Sequence, residues 1–189
     1  MLYCQLYKRR GSVMTAGQHD TVWLTGLSGA GKSSIADALA RRLKAEGRAV
    51  ALLDGDQLRH GLNRDLGFTP EDRHENIRRT AEVARLMNGG GLTVIAALIS
   101  PYRADRAMAA AIIGTAHFIE VHVSTPLAVC EARDPKGLYE KARAGQLAQF
   151  TGISAPYEAP LAAALTLDTG TLALDESVER LYRYLQRRT

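Results

Sequence analysis

The feature that most limits what this chain can fold into is a glycine-rich run at residues 26–33. It reads Gly26, Leu27, Ser28, Gly29, Ala30, Gly31, Lys32, Ser33 and fits G-x-x-x-x-G-K-[ST] at every fixed position. The context that the pattern needs is present. The β-rich run TVWLT (21–25) ends at Gly26, and from Lys32 the apolar residues Ile35, Leu39 and Leu43 recur at helical spacing. Glycines let consecutive backbone N–H groups turn inward around a polyphosphate, and the following helix points its positive N-terminus at the same place. Lys32 can reach the β- and γ-phosphates, and the Ser33 hydroxyl can ligate Mg²⁺. A strand, a phosphate loop and a helix in that order commit the chain to an α/β fold.

The rest of the sequence repeats the alternation. AVALL (49–53) is a second apolar run and ends at Asp54. Residues 55–67 are polar. Thr69-Pro70-Glu71-Asp72 has the form of a helix start, with a hydroxyl cap, Pro at the first position and an acid three residues after the cap. That helix is predicted to run to about Asn88, before three glycines. Residues 92–99 read as a buried parallel strand, 101–113 as a helix and 118–123 as a strand. Thr125-Pro126 opens a short helix through Cys130. Residues 133–157 are polar and basic with little core pattern, 165–167 form a fifth strand, and 175–188 an amphipathic helix. The expected architecture is three-layered, with helices on both faces of a five-stranded parallel sheet. Residues 1–20 read as a poorly ordered lead-in to one domain, 21–189.

Charge narrows the partners. The formal net charge is +4, but residues 1–10 and 180–189 hold seven basic side chains and no acid. The intervening residues 11–179 carry 17 basic side chains against 20 acids, a net charge of −3. A general nucleic-acid surface is not expected. Cys4 and Cys130 form neither a disulfide framework nor a zinc spacing, and Cys130 reads as a small core residue. No apolar run is long enough to span a bilayer, no signal-peptide pattern follows the N-terminal basic cluster, and a reducing cytoplasm is the expected location.

Ligands of parallel α/β sheets bind at the C-terminal ends of strands. Two ends stand out. Asp54-Gly55-Asp56 places two carboxylates beside the phosphate loop, where one can serve Mg²⁺ and the other can orient an acceptor hydroxyl; a plain Asp-Gly surface turn is the competing reading. Ser100, before Pro101, is the second. Between them lie Arg59, Arg64, Phe68, Arg73, Asn76, Arg78 and Arg79. Residues 56–79 balance five Arg against five acids, so a solvated, salt-bridged helix face competes with an anion site. Arg73 and Asn76 share one face near a helix start, and with Phe68 they would suit an anionic, aromatic acceptor. The N-K-x-D motif of switch GTPases is absent, and a small kinase is the simplest use of these parts.

The string DGDQLRHGLNRDLGFTPEDRHENIRR, following GLSGAGKSS, resembles the adenylyl-sulfate kinase (APS kinase) family. ISPYRADR (99–106), ARDPKGLYEKARAGQLAQFTGI (132–153) and PYEAP (156–160) continue the resemblance. It implies a P-loop kinase fold with a mobile lid over about 133–157, and ATP and Mg²⁺ as cofactors. The implied reaction moves the γ-phosphoryl of ATP to the 3′-hydroxyl of adenosine 5′-phosphosulfate (APS). By the same resemblance Asp56 is the catalytic acid, acting with Lys32, and Asp54 and Ser33 lie at the metal. ATP is met by residues 26–33 together with Ser34, Arg133 and Asp134. APS is met by Asp56, Arg59, Phe68, Arg73, Asn76, Ile99, Ser100, Lys136, Gln149 and Phe150, with Phe68 and Phe150 as aromatic faces for adenine and Gln149 acting through its backbone.

A serine at the position of Ser100 has been proposed in this family as a phosphoserine intermediate. Direct in-line transfer needs none, and Ser followed by Pro is a natural helix cap, so a binding or capping role is expected ahead of a covalent one. The Ala-rich LAAALT (161–166) departs from the family pattern at the lid hinge. A homodimer is implied, with neither nucleic acid nor membrane as partner. Alternatives are a gluconate or nucleotide kinase, an APS-binding regulatory domain, whose phosphate loop would be degraded, and an RNA-binding protein resting on the basic ends.

Overall fold

Alternate residues of the strand Thr21–Thr25 (β1) explain the layering. Val22 and Leu24 join one buried cluster and Trp23 the other, all three with no solvent exposure. A strand buried on both faces must lie mid-sheet with helices on each side. The computed structural model describes residues 19–188 and has that arrangement. The chain order is β1, α1 (Lys32–Ala45), β2 (Val50–Asp54), α2 (Gly55–His60), α3 (Pro70–Gly89), β3 (Thr93–Ala97), α4 (Arg103–Ile113), β4 (Phe118–Val123), α5 (Leu127–Arg133), α6 (Leu138–Arg143), β5 (Leu165–Leu167) and α7 (Leu174–Gln186). The five strands are parallel, in the order β2-β3-β1-β4-β5.

Ile35, Leu39 and Leu43 of α1 pack with Val178, Leu181 and Leu185 of α7 on the Val22 face. Ile77, Ala81 and Ala84 of α3 pack with Ala109 and Ile113 of α4 on the Trp23 face. Because β1 sits between β3 and β4, the chain leaves it in both directions, and the crevice at its C-terminal end is where such sheets bind ligands.

The helix start at Thr69 is as expected. Its hydroxyl accepts from the Asp72 N–H at 3.2 Å, with Pro70 as the first helical residue. The start expected at Ser100-Pro101 is corrected. The helix α4 begins at Arg103, after Tyr102, and its first N–H is taken by the Glu158 carboxylate at 2.8 Å. Ser100 cannot cap because its backbone is left-handed, φ 39°, where a cap is extended. The helix α5 runs three residues beyond Cys130 and carries Arg133 to its end. Cys130 is fully buried, as its reading as a core residue required.

The C-terminal basic residues are answered by acids of the body. Arg180 pairs with Glu176, Arg183 with Glu179, and Arg188 with Asp20. The lead-in expected over residues 1–20, with Cys4 and the N-terminal basic cluster, lies outside the described residues except for its last two. Among the described residues no helix is long and apolar enough to cross a membrane.

Candidate active site

The phosphate loop follows β1 without an intervening residue. Gly26 must be glycine, since a Cβ there would stand 2.4 Å from the carbonyl oxygen of Val123 on β4. Gly29 and Gly31 take positive φ, 73° and 95°, which curls the loop toward the start of α1. Three carbonyls of the loop are tied outward. Tyr139 Oη donates to the Ser28 oxygen at 2.9 Å, Arg133 Nη1 to Gly29 at 3.4 Å, and Thr125 and Thr169 hydroxyls to Ala30 at 3.1 and 2.9 Å. These anchors come from distant parts of the chain, and sequence reasoning had no local signal for Thr125, Tyr139 or Thr169. Lys32 is buried, and its Nζ donates to the Gly26 and Leu27 carbonyls at 2.8 and 2.7 Å. Burial pulls its pKa down from 10.5 to about 8, against the pull of Asp56 and Asp54.

The two carboxylates of Asp54-Gly55-Asp56 have separate jobs. Asp54 ends β2. Its Oδ2 accepts from Ser33 Oγ at 2.7 Å, and its Oδ1 accepts from the N–H groups of Asp56 and Gln57, which caps α2. The phosphate loop and the acceptor-side acids are thereby joined by one hydrogen bond. A hydroxyl and a carboxylate are hard oxygen donors and fit Mg²⁺, which keeps several waters and takes few protein ligands. Among the described residues no three His, Cys, Asp or Glu side chains converge as a metal cage, so phosphate oxygens and water would complete the shell. Asp56 is largely exposed and forms an ion pair with Lys136.

The arginines of residues 59–79 fall into two classes. Arg78 pairs with Glu75 at 2.7 Å, and Arg79 with Glu75 and Asp65, both at 2.8 Å. Bonds from Arg78 and Arg79 hold the Glu75 carboxyl down at about 2. Arg59 and Arg73 have no carboxylate partner among the described residues. Arg59 donates to the Leu66 and Gly67 carbonyls and lies 4.2 Å from the Phe68 ring centroid. Arg73 donates to Phe68 O at 2.9 Å and to Gln149 O at 2.7 Å. Partial burial lowers the pKa of both guanidiniums, and for Arg59 the Arg73 charge adds to it. Two desolvated, unpaired cations beside an aromatic ring that is 57% exposed form a ready site for an anionic, planar ligand.

Asn76 is buried on the same helix face, and its Oδ1 accepts from Asn63 Nδ2 at 2.9 Å. Asn63, which sequence reasoning missed, is fully buried with its own Oδ1 unpartnered.

Residues 133–157 come back over these groups. Arg133 donates to Thr169 O and Oγ1 at 2.6 and 2.8 Å. The Asp134 carboxylate accepts from the N–H groups of Leu138, Tyr139 and Glu140, so it starts α6. Gln149 uses its backbone oxygen, toward Arg73. Phe150 differs from Phe68: it is half-buried and meets Tyr139 edge-on at 5.0 Å. Ser100 is 2% exposed, and its Oγ accepts from Trp23 Nε1 at 3.1 Å. The non-glycine residues of positive φ among those described are Ser100, Asp134 and Gln149. All three belong to this region, as strained backbone does at functional sites.

The comparisons with known proteins agree. The family model described as adenylylsulphate kinase matches residues 18–168. A relative from Shewanella amazonensis, an adenylyl-sulfate kinase, is 58% identical over 164 residues, covering 87% of this chain and 83% of its own. One of the same name from Paraburkholderia xenovorans is 56% identical over 172 residues, covering 91% and 96%. The solved APS kinase of Mycobacterium tuberculosis in complex with AMPPNP and APS superposes with a TM-score of 0.87 at 47% identity, covering 89% of this chain and 98% of that one. A gluconokinase from Sinorhizobium meliloti has a TM-score of 0.58 at 17% identity, covering 90% and 93%, and shares the fold alone.

Proposed function

The chain belongs to the adenylylsulphate kinase family, and from that premise we propose how its own residues carry out the transfer. It is an adenylyl-sulfate kinase: the γ-phosphoryl of ATP passes to the 3′-hydroxyl of APS, giving ADP and 3′-phosphoadenosine 5′-phosphosulfate. In the proposed mechanism the bond from the 3′-oxygen to the γ-phosphorus forms as the bond to the β-bridging oxygen breaks. Asp56 orients the hydroxyl and accepts its proton. Lys32 exchanges the Gly26 and Leu27 carbonyls for the β/γ-phosphates, whose charge favours the ammonium form that burial opposes.

Ser33 and Asp54 would hold Mg²⁺, which would supply positive charge against the phosphate oxygens. Ser34 and the loop residues 26–31 cradle the phosphates, and Arg133 and Asp134 shape the edge over the ATP adenine. Arg59 and Arg73 take the anionic phosphosulfate, Phe68 stacks on the APS adenine, and Asn76, Ile99, Gln149 and Phe150 complete the pocket. Lys136 leaves Asp56 for the ligand as the lid, 133–157, closes and excludes water. Ser100 takes part in no covalent step, which its burial and its bond from Trp23 support. The cytoplasm as location and a homodimer as assembly belong to the same proposal; one matched relative, from Thiobacillus denitrificans, is described as hexameric.

The observation that carries this reading is the Ser33–Asp54 bond, which sets Asp56 two residues from the edge of the phosphate loop. Its test is Asp56→Asn with Phe68→Ala. Asp56→Asn is expected to lower kcat by roughly 10²–10⁴-fold at unchanged melting temperature, because the side chain is exposed. Phe68→Ala is expected to raise KM for APS and leave KM for ATP alone. Wild-type kcat in the first, or a rise in KM for ATP only in the second, would refute the assignment.

A further inference from the structure

Ser100 holds a conformation that a serine does not keep unaided. Its φ of 39° lies in the left-handed region, and such residues persist only where surrounding structure over-determines them. Three side chains do so here. Trp23 donates to its Oγ at 3.1 Å, Arg106 Nη1 donates to its carbonyl at 2.7 Å, and Thr25 Oγ1 lies 3.3 Å from that carbonyl and 2.8 Å from the Ile99 carbonyl.

Arg106 is the hub. Its side chain is 3% exposed, yet every arm of the fork is used: Nε donates to Glu120 Oε1 at 2.6 Å, and Nη2 to Glu158 O at 2.7 Å. Glu120 belongs to β4, Glu158 to the chain returning from residues 133–157, and Tyr157 beside it bonds Thr25 at 3.0 Å. A buried guanidinium with three partners in three directions cannot be replaced by an ammonium, which is a single point charge.

We propose that Arg106 is a positioning residue for the acceptor substrate. Through the Ser100 carbonyl it fixes the Ser100–Pro101 peptide from behind, while Thr25 holds the Ile99 carbonyl, and it couples this corner to β4 and to the chain leaving the lid. The proposal rests on the reading that Ile99 and Ser100 line the APS pocket. Without the arm to its carbonyl, residue 100 relaxes toward an ordinary φ, and the peptide that faces the acceptor rotates.

The test is steady-state kinetics of both substrates in Arg106→Lys, Thr25→Val and Ile99→Ala. Arg106→Lys is expected to raise KM for APS by at least about tenfold, the scale of one hydrogen bond to a charged group, with KM for ATP within twofold. Thr25→Val keeps the arginine and removes one hydroxyl. It serves where Arg106→Lys fails to fold, with the same pattern at about threefold. A rise in KM for APS in Ile99→Ala, with neither Arg106→Lys nor Thr25→Val moving it, overturns the clamp and leaves the pocket reading standing. No change in any of the three overturns both. A parallel rise in both KM values also overturns the proposal, since it marks a general loosening of the site.

Discussion

Replacing Lys32 by methionine is expected to remove activity while leaving the ligand-free protein about as stable as wild type at pH 7. The lysine is buried with its ammonium on two carbonyls, and its pKa falls from 10.5 to about 8. At about 1.4 kcal/mol per tenfold, the charged form costs the folded state roughly 3 kcal/mol. Losing two carbonyl bonds from a charged group costs about 1.5 kcal/mol each, so at pH 7 the two effects offset one another. For a chain of this size, wild type and variant are expected to melt within about 2–4 °C of one another at pH 7. The pH dependence is more telling. Below about pH 8 the lysine is protonated in both states and the whole penalty stands. Between about 8 and 10.5 the unfolded chain keeps the proton and the folded one does not, so raising the pH favours the folded wild type. The penalty falls to about 2 kcal/mol near pH 9, where wild type is expected to have gained about 1 kcal/mol on the methionine variant. Thermal or urea unfolding of both proteins from pH 7 to 10, paired with ADP release at pH 7, measures this. A methionine variant whose stability differs from wild type by the same amount at every pH would refute the desolvation penalty on Lys32, and one that retains turnover would refute its role at the phosphates.

Thr69→Ala removes the cap of α3 and is expected to destabilise by about 1 kcal/mol, read by urea unfolding, with KM for ATP unchanged. Gly26→Ala drives a Cβ to 2.4 Å from the Val123 carbonyl and is expected to cost several kcal/mol or prevent folding; a variant as stable as wild type would mean that β4 yields there.

The sheet and its helices were legible because their signals are local. TVWLT ends in glycine at the phosphate loop, and Thr69-Pro70 starts α3 as written. The helix α2 gives no signal in the polar stretch 55–67 because it is six residues with no apolar period, held by the Asp54 cap. Ser100-Pro101 misled for a physical reason: contacts from Trp23 and Arg106, distant in the chain or across the turn, hold Ser100 in the left-handed region where it cannot cap, and Glu158 caps α4 instead.

In the site, the residue types were readable and their division of labour was not. Arg59, Arg73, Arg78 and Arg79 look alike along the chain. Only the folded loop, which brings Asp65 to Arg79 and leaves Arg59 and Arg73 on backbone carbonyls, separates ion-paired arginines from those free to meet an anion. Likewise Thr125, Tyr139 and Thr169 converge on the phosphate loop from three separate segments, each without a motif of its own.

In the proposed function the unpaired arginines and Phe68 beside Asp56 select one acceptor nucleotide. The most direct measurement is ADP release from MgATP in the presence of APS, AMP or gluconate, with the product's phosphate position read by NMR. Turnover is expected with APS, with a phosphate on its 3′-oxygen, and little with AMP or gluconate. Comparable turnover with either alternative, or none with APS, would contradict it.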